Sequence, residues 1–339
     1  MRTSRITLSA IGIAAAAGLV LSGCANGDTD GAAPAPGGDT GNGGQETFEV
    51  YALLPQGTDQ PYGTTYLPPM QAAADELGIN LTITNSQYDA DRQASECEVA
   101  VAAQPDLIIL WPAVGDTIRP CLTAAQAAGI PVTVTNSDVN PEDEDLIQAY
   151  SGPDTYGQGV SSAEMMCDFA AGEEIGILVV NGLTGNSTAI NRNAGFVDTI
   201  EANCPNVTIL AEQPGNWNKD DSQIAVSEML TAVGPENVGG IYAADDTMVA
   251  GAIDALKARG IDPADLIITS IGNTFLGNPL VVSGELDGTV FQSSSWDGEN
   301  AVRLAHAVLT GAPFEAELFM PSVKVTAENA SDPSVAPEW

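Results

Sequence analysis

Residues 105–135, PDLIILWPAVGDTIRPCLTAAQAAGIPVTVT, hold one complete unit of the architecture. Residues 107–111 are apolar without a break, the pattern of a strand buried on both faces. Residues 116–128 follow with helical spacing, and Gly129 stands as the helix stop. Residues 131–135 supply the next strand. A strand, a helix and a strand in such short succession make a right-handed crossover between parallel neighbours.

The same alternation runs outward in both directions. Upstream, Phe48–Leu54 and 81–84 read as strands and 70–77 and 92–103 as helices, with Pro68 and Pro69 fitting the first turn of the 70–77 helix. Downstream the pattern restarts, with helices expected at 157–171, 188–202, 222–233 and 248–259. Strands are expected between them at 175–180, 207–212, 240–243 and 266–270, and a last helix at 299–309. Two successive runs of this kind predict an α/β fold of two Rossmann-like lobes with parallel sheets. Ligand is then expected outside the carboxyl ends of the strands.

Composition narrows the function classes. The 339 residues, 44% hydrophobic and 16% charged, suffice for two domains that each bury a core. Acidic residues number 45 against 10 basic ones, for a formal charge of −35. Nucleic acid or anionic lipid therefore finds no basic face, and the acidity reads as a solvated, self-repelling surface. One His and five Cys leave little material for a zinc site. Residues 182–188, GLTGNST, lack the Lys of a phosphate-binding loop, and neither G-x-G-x-x-G nor G-x-S-x-G occurs. His306 lies in an Ala/Leu/Val helix and is expected to pack. Asp245 and Asp246 are adjacent and point in different directions, so they do not share a reaction centre. Residues 138–145, DVNPEDED, lack the Gly and the spacing of a calcium loop and read as an exposed acidic loop. No cofactor, metal or catalytic activity is expected.

The N-terminus bears on compartment. Arg2 and Arg5 precede an apolar run over 6–21, too short for a spanning helix, so 1–23 reads as a secretory signal. Leu21-Ser22-Gly23-Cys24 resembles the lipobox of bacterial lipoproteins, which implies cleavage before Cys24 and lipidation of that residue. Residues 24–46 carry almost no apolar bulk and are expected to form a flexible tether. The expected location is extracytoplasmic, anchored to the membrane by lipid alone. Four cysteines remain, with three possible connectivities. Cys97 with Cys121 and Cys167 with Cys204 is favoured, because each pair falls on successive helices of one lobe. No C-x-x-C occurs, so structural staples are expected.

The loops after the strands are polar and aromatic. The first strand leads into Thr58-Asp59-Gln60-Pro61-Tyr62, the third ends on Trp111-Pro112 and the fourth on Thr135-Asn136-Ser137. In the second run, Arg192 lies in a helix near a strand end, Trp217 in the loop EQPGNWNKDD and Asp245 at the end of a strand. Indole faces beside amide, carboxylate and guanidinium groups suit a sugar or polyol.

With DQPYGTTYLPPMQAAADELG, GIPVTVTNSD, GLTGNSTAINRNAGF, AADDTMVAGAIDAL and GTVFQ in view, residues 48–325 resemble the type I, ribose-binding class of solute-binding proteins that feed ABC sugar importers. The resemblance implies two lobes joined by three crossovers, one of 47–152 plus 293–322 and the other of 153–292 plus 323–339. It implies a monomer that holds a monosaccharide or polyol in the cleft and delivers it to a membrane permease. Receptors that present a bound ligand to a chemoreceptor or sensor share the fold, and an extracytoplasmic enzyme is a third possibility. Matched residue by residue, the resemblance makes Gln60 and Tyr62 first-loop contacts, Arg192 the cleft arginine and Trp217 the stacking aromatic. Asp245 becomes the strand-end contact and Gln292 the hinge-side glutamine. Trp111 stands where the class often has a polar residue, Asn136-Ser137 replaces its Asp-Arg pair, and Gly272-Asn273 stands where it has an Asp. Asn136 and Asn273 are nonetheless expected at the ligand. The expected cleft is less charged and more aromatic than a ribose site.

Overall fold

Strand β1 (Phe48–Leu54) lies inside its sheet, paired in parallel with β2 (Ile79–Asn85) on one side and β3 (Leu107–Leu110) on the other. The computed structural model describes residues 47–339, so the apolar run, Cys24 and the tether lie outside the described residues. Helix α1 (Pro61–Leu77) links β1 to β2, and α2 (Ala90–Ala103) links β2 to β3. Helix α3 (Gly115–Ala128) then leads to β4 (Val132–Thr135) and β5 (Ala149–Gly152). Alternate residues of β1 and β3 face opposite layers. Val50, Ala52, Leu54, Leu107 and Ile109 pack under α1, while Leu53, Ile108 and Leu110 pack with α2 and α3. That two-sided burial is what an unbroken apolar strand requires.

The second lobe repeats the plan. Its helices are α4 (Thr155–Ala170), α5 (Ser187–Asn203), α6 (Lys219–Val233), α7 (Asp246–Ala258) and α8 (Gly277–Ser283). Its strands are β6 (Ile175–Asn181), β7 (Val207–Pro214), β8 (Val238–Ala243), β9 (Ile267–Thr269) and β10 (Gly288–Val290). The chain then re-enters the first lobe as α9 (Ser294–Thr310) and β11 (Glu317–Phe319), and returns to the second as β12 (Lys324–Thr326). Sheet orders are β11-β5-β4-β3-β1-β2 and β12-β10-β9-β8-β6-β7, parallel except for the β10–β12 pair. The chain thus crosses between sheets at 152–155, 290–294 and 319–324.

Three expectations change. Helix α1 starts at Pro61, so Pro68 and Pro69 lie inside it and Tyr62 occupies its first turn rather than a loop. Each proline forfeits a bond to the residue four back, here Thr64 and Thr65, which are exposed and half-exposed. The loss falls on the solvent side. The acidic segment is not wholly exposed either. Residues Pro141–Leu146 form a 3-10 turn in which Asp143 is buried and pairs with the Arg119 guanidinium at 2.6 Å. Finally, Trp339 packs against the first-lobe core although 323–339 was expected in the second lobe.

Both expected disulfides are present. Cys97–Cys121 joins α2 to α3 and Cys167–Cys204 joins α4 to the end of α5, each with Cα atoms 5.8 Å apart. His306 is half-buried and meets Phe48 edge-on at 6.2 Å. Among the described residues no helix is long and apolar enough to cross a membrane, and no group of His, Cys, Asp or Glu is placed to hold a metal ion.

Candidate functional site

A cavity of about 410 Å³ lies between the lobes, walled by residues that follow the carboxyl ends of the strands. The first lobe contributes Gln56, Gln60 and Tyr62 after β1, Gln87 and Tyr88 after β2, Trp111 after β3, and Asn136 and Ser137 after β4. The second contributes Asn186, Thr188 and Arg192 after β6, Asn216, Trp217 and Asn218 after β7, and Asp245 and Thr247 after β8. Gln292, at a crossover, and Trp339 complete the wall.

Eight expected ligand residues line this cavity: Gln60, Tyr62, Trp111, Asn136, Arg192, Trp217, Asp245 and Gln292. Asn273 does not. It is fully buried, its amide donating to the Val335 carbonyl and accepting from Asn278 at 3.0 Å. The neighbouring Thr274 N–H and Thr289 hydroxyl are held by Asp246 at 2.7 and 2.8 Å. Residues 272–274 are therefore a structural junction that anchors later chain, not a ligand contact. Asp246 points into that junction while Asp245 faces the cavity, the divergence expected of adjacent residues.

Arg192 is buried and held in place by four hydrogen bonds. Its Nε and Nη2 donate to Gln158 Oε1 at 3.1 and 2.8 Å, Nη1 to the Ala244 carbonyl at 2.7 Å, and Nη2 also to Gln292 Oε1 at 2.5 Å. Burial lowers its pKa. Its guanidinium carbon lies 5.8 Å from the centre of the Trp217 ring. That ring lies over Gly182, where any Cβ would run into it. Asp245 caps α7, accepting from the Met248 N–H at 2.7 Å. Burial pushes its carboxyl up to about 7, against the pull of that N–H and of Arg192.

On the other side, Gln292 Nε2 donates to the Tyr62 hydroxyl at 3.1 Å, and Tyr62 donates to Asp297 at 2.7 Å. Asp297 also accepts from Thr135 at 3.1 Å and Asn136 at 2.7 Å. Burial raises its carboxyl to about 6 and these three donors oppose the rise. Trp111 is almost wholly buried, its edge toward Tyr62 and its Nε1 donating to Ser137 at 3.2 Å. It is as much core as cavity wall.

The lobes also touch directly. Asn186 caps α5 through its Oδ1 and donates across the cleft to the Ala113 carbonyl at 3.0 Å. Ser187 donates to the Asp138 carbonyl at 2.7 Å, and the Ser137 and Thr188 hydroxyls bond at 2.8 Å. Sequence reasoning missed Asn186 and Asn218, although Asn before an apolar-periodic stretch is a helix-start signal. It also missed Asp297, Tyr88 and Trp339, for which no local pattern speaks.

The family model described as "Periplasmic binding protein domain" matches residues 51–313. A xylitol-binding protein of Mycolicibacterium smegmatis is 27% identical over 327 residues, covering 96% of this chain and 87% of that protein. The ribose import binding protein of Salmonella typhimurium is 25% identical over 269 residues, 79% of this chain and 88% of its own length. Among solved structures, the periplasmic binding protein of the arabinose ABC transporter from Shewanella sp. ANA-3, bound to α- and β-L-arabinofuranose, aligns with a TM-score of 0.76. It is 25% identical and covers 84% of this chain and 93% of that one. Two α/β lobes, three crossovers, a cavity at the strand ends and the family match agree: the chain belongs to the periplasmic binding proteins, as a type I, ribose-binding-like solute-binding protein rather than an enzyme.

Proposed function

We propose that the interlobe cavity captures a neutral monosaccharide or polyol and presents it to an ABC importer. The observation that carries this reading is the state of the cavity's buried cation. Arg192 spends four hydrogen bonds on Gln158, Ala244 and Gln292, which leaves one of its five N–H groups for a ligand. A ligand carboxylate or phosphate seeks a two-pronged guanidinium, and here it would also meet the Asp245 carboxyl. A hydroxyl needs only the single remaining donor. Amides of Gln56, Gln60, Asn136 and Asn216 can donate and accept at once, matching hydroxyls, and Trp217 offers a face for C–H surface. The relatives' ligands, xylitol, ribose and arabinofuranose, support the same class.

The cavity draws on both lobes, so a ligand gains its full set of contacts only when they close, which is the differential affinity that shifts such an equilibrium. A thermal-shift screen tests the reading with xylitol, D-ribose, L-arabinose, D-galactose and, as an acidic control, D-gluconate. At a hundred times its dissociation constant a true ligand adds about 2.7 kcal/mol of stability. Stabilisation by gluconate alone would overturn the neutral-ligand reading.

Membrane attachment rests on Cys24, outside the described residues, as the site of lipidation. Cys24→Ser should release the protein from the membrane fraction with its ligand affinity intact. Continued retention would refute the anchor.

A further inference from the structure

The chain crosses the hinge a fourth time. After β12, Ala330 and Val335 are buried in the second-lobe core, and Asn278 and Asn273 hold their carbonyls. The Phe275 N–H holds the Trp339 carbonyl at 2.6 Å. The last two side chains nevertheless belong to the other lobe. Glu338 accepts from the Ser295 N–H and hydroxyl, both at 2.9 Å, and from the Ser293 hydroxyl at 2.9 Å, at the start of α9. A carboxylate is well placed there, against the positive end of the helix dipole. The Trp339 ring meets Tyr62 edge-on at 4.9 Å, packs against the first-lobe core, donates from Nε1 to the Gln292 carbonyl at 3.1 Å and lines the cavity.

We propose that residues 337–339 are a strap that fastens the second lobe to α9 and α1, and that Trp339 is a ligand-contact residue forming the hinge-side wall of the cavity. The contact it offers is an indole surface for the C–H groups of a sugar or polyol, and in this it rests on the function proposed above. Gln292 and Tyr62, both bonded into the network that holds Arg192, are among the residues Trp339 touches. A change at Trp339 therefore reaches both the wall and the hinge.

Two measurements on the purified full-length protein separate the parts. Without ligand, hydrogen exchange over 294–297 should speed at least tenfold in Glu338→Ala, and exchange over 61–66 should speed in Trp339→Ala. Unchanged exchange in both variants would overturn the strap. Calorimetry with whichever of xylitol, D-ribose or L-arabinose the wild type binds should show Trp339→Ala weaker by at least tenfold and Trp339→Phe largely restored. If Trp339→Ala binds as tightly as wild type while Trp217→Ala is impaired, the sugar-site reading stands and Trp339 is no ligand contact. If the wild type binds neither these three nor D-galactose, the sugar-site reading and the ligand role of Trp339 fall together, and the exchange data alone decide the strap.

Discussion

The Tyr62 hydroxyl donates to the Asp297 carboxylate at 2.7 Å, joining side chains 235 positions apart in the chain. Gly298 makes this possible. A Cβ there would collide with the Tyr66 carbonyl, so only glycine lets α9 lie this close to α1. From that pair the network runs through Gln292 to Arg192, linking the two lobes by side chains alone.

Tyr62→Phe removes a buried donor and leaves Asp297 with Thr135 and Asn136 only. Losing one charge-assisted bond should cost about 1.5–3 kcal/mol, read from urea unfolding. An unchanged midpoint would mean that the pair contributes nothing to the fold.

Stability of the ligand-free protein should fall as pH rises from about 4 to 7. Asp245 and Asp297 are raised by burial to about 7 and about 6, above the ordinary aspartate value near 3.9. In that window the folded state holds protons that the unfolded chain has released, so raising the pH favours unfolding. Melting temperature should therefore be higher at pH 5.5 than at pH 7.5. Asp245→Asn should flatten the slope; a wild-type slope in that variant would place the effect elsewhere.

The disulfides close loops of 24 and 37 residues within their lobes. By chain entropy each should contribute about 3–4 kcal/mol. Reduction should lower the melting temperature without abolishing ligand binding, because neither bridge reaches the cavity wall. Peptide mapping that found other pairings would contradict the structure.

The lobes, the disulfide partners and eight residues of the cavity wall were legible because they are local. An unbroken apolar run such as 107–110 marks a buried strand, and polar or aromatic residues just beyond it mark a cavity edge. The strands β10, β11 and β12, of three residues each, are too short for periodicity to register. Asp297 and Trp339 were invisible for a different reason. One sits a single turn into a helix, the other far from any strand end in sequence, and both reach the site only through the packing of distant segments. Asn273 shows the converse. Its position after β9 has the right topology for a ligand contact, but the carbonyl of Val335 occupies its amide.

The central claim is that ligand is held between the lobes, and one calorimetric experiment tests it most directly. Gln60→Ala alters the first-lobe wall and Asp245→Ala the second, and each is titrated with the best neutral sugar or polyol from the screen. Asp245→Ala should weaken binding 10- to 150-fold, the equivalent of about 1.5–3 kcal/mol for a hydrogen bond to a charged group. Gln60→Ala should weaken it about 2- to 10-fold, in line with roughly 0.5–1.5 kcal/mol for a neutral one. Loss in both variants is the result the account predicts; unchanged affinity in both would contradict it and move the site out of the cleft.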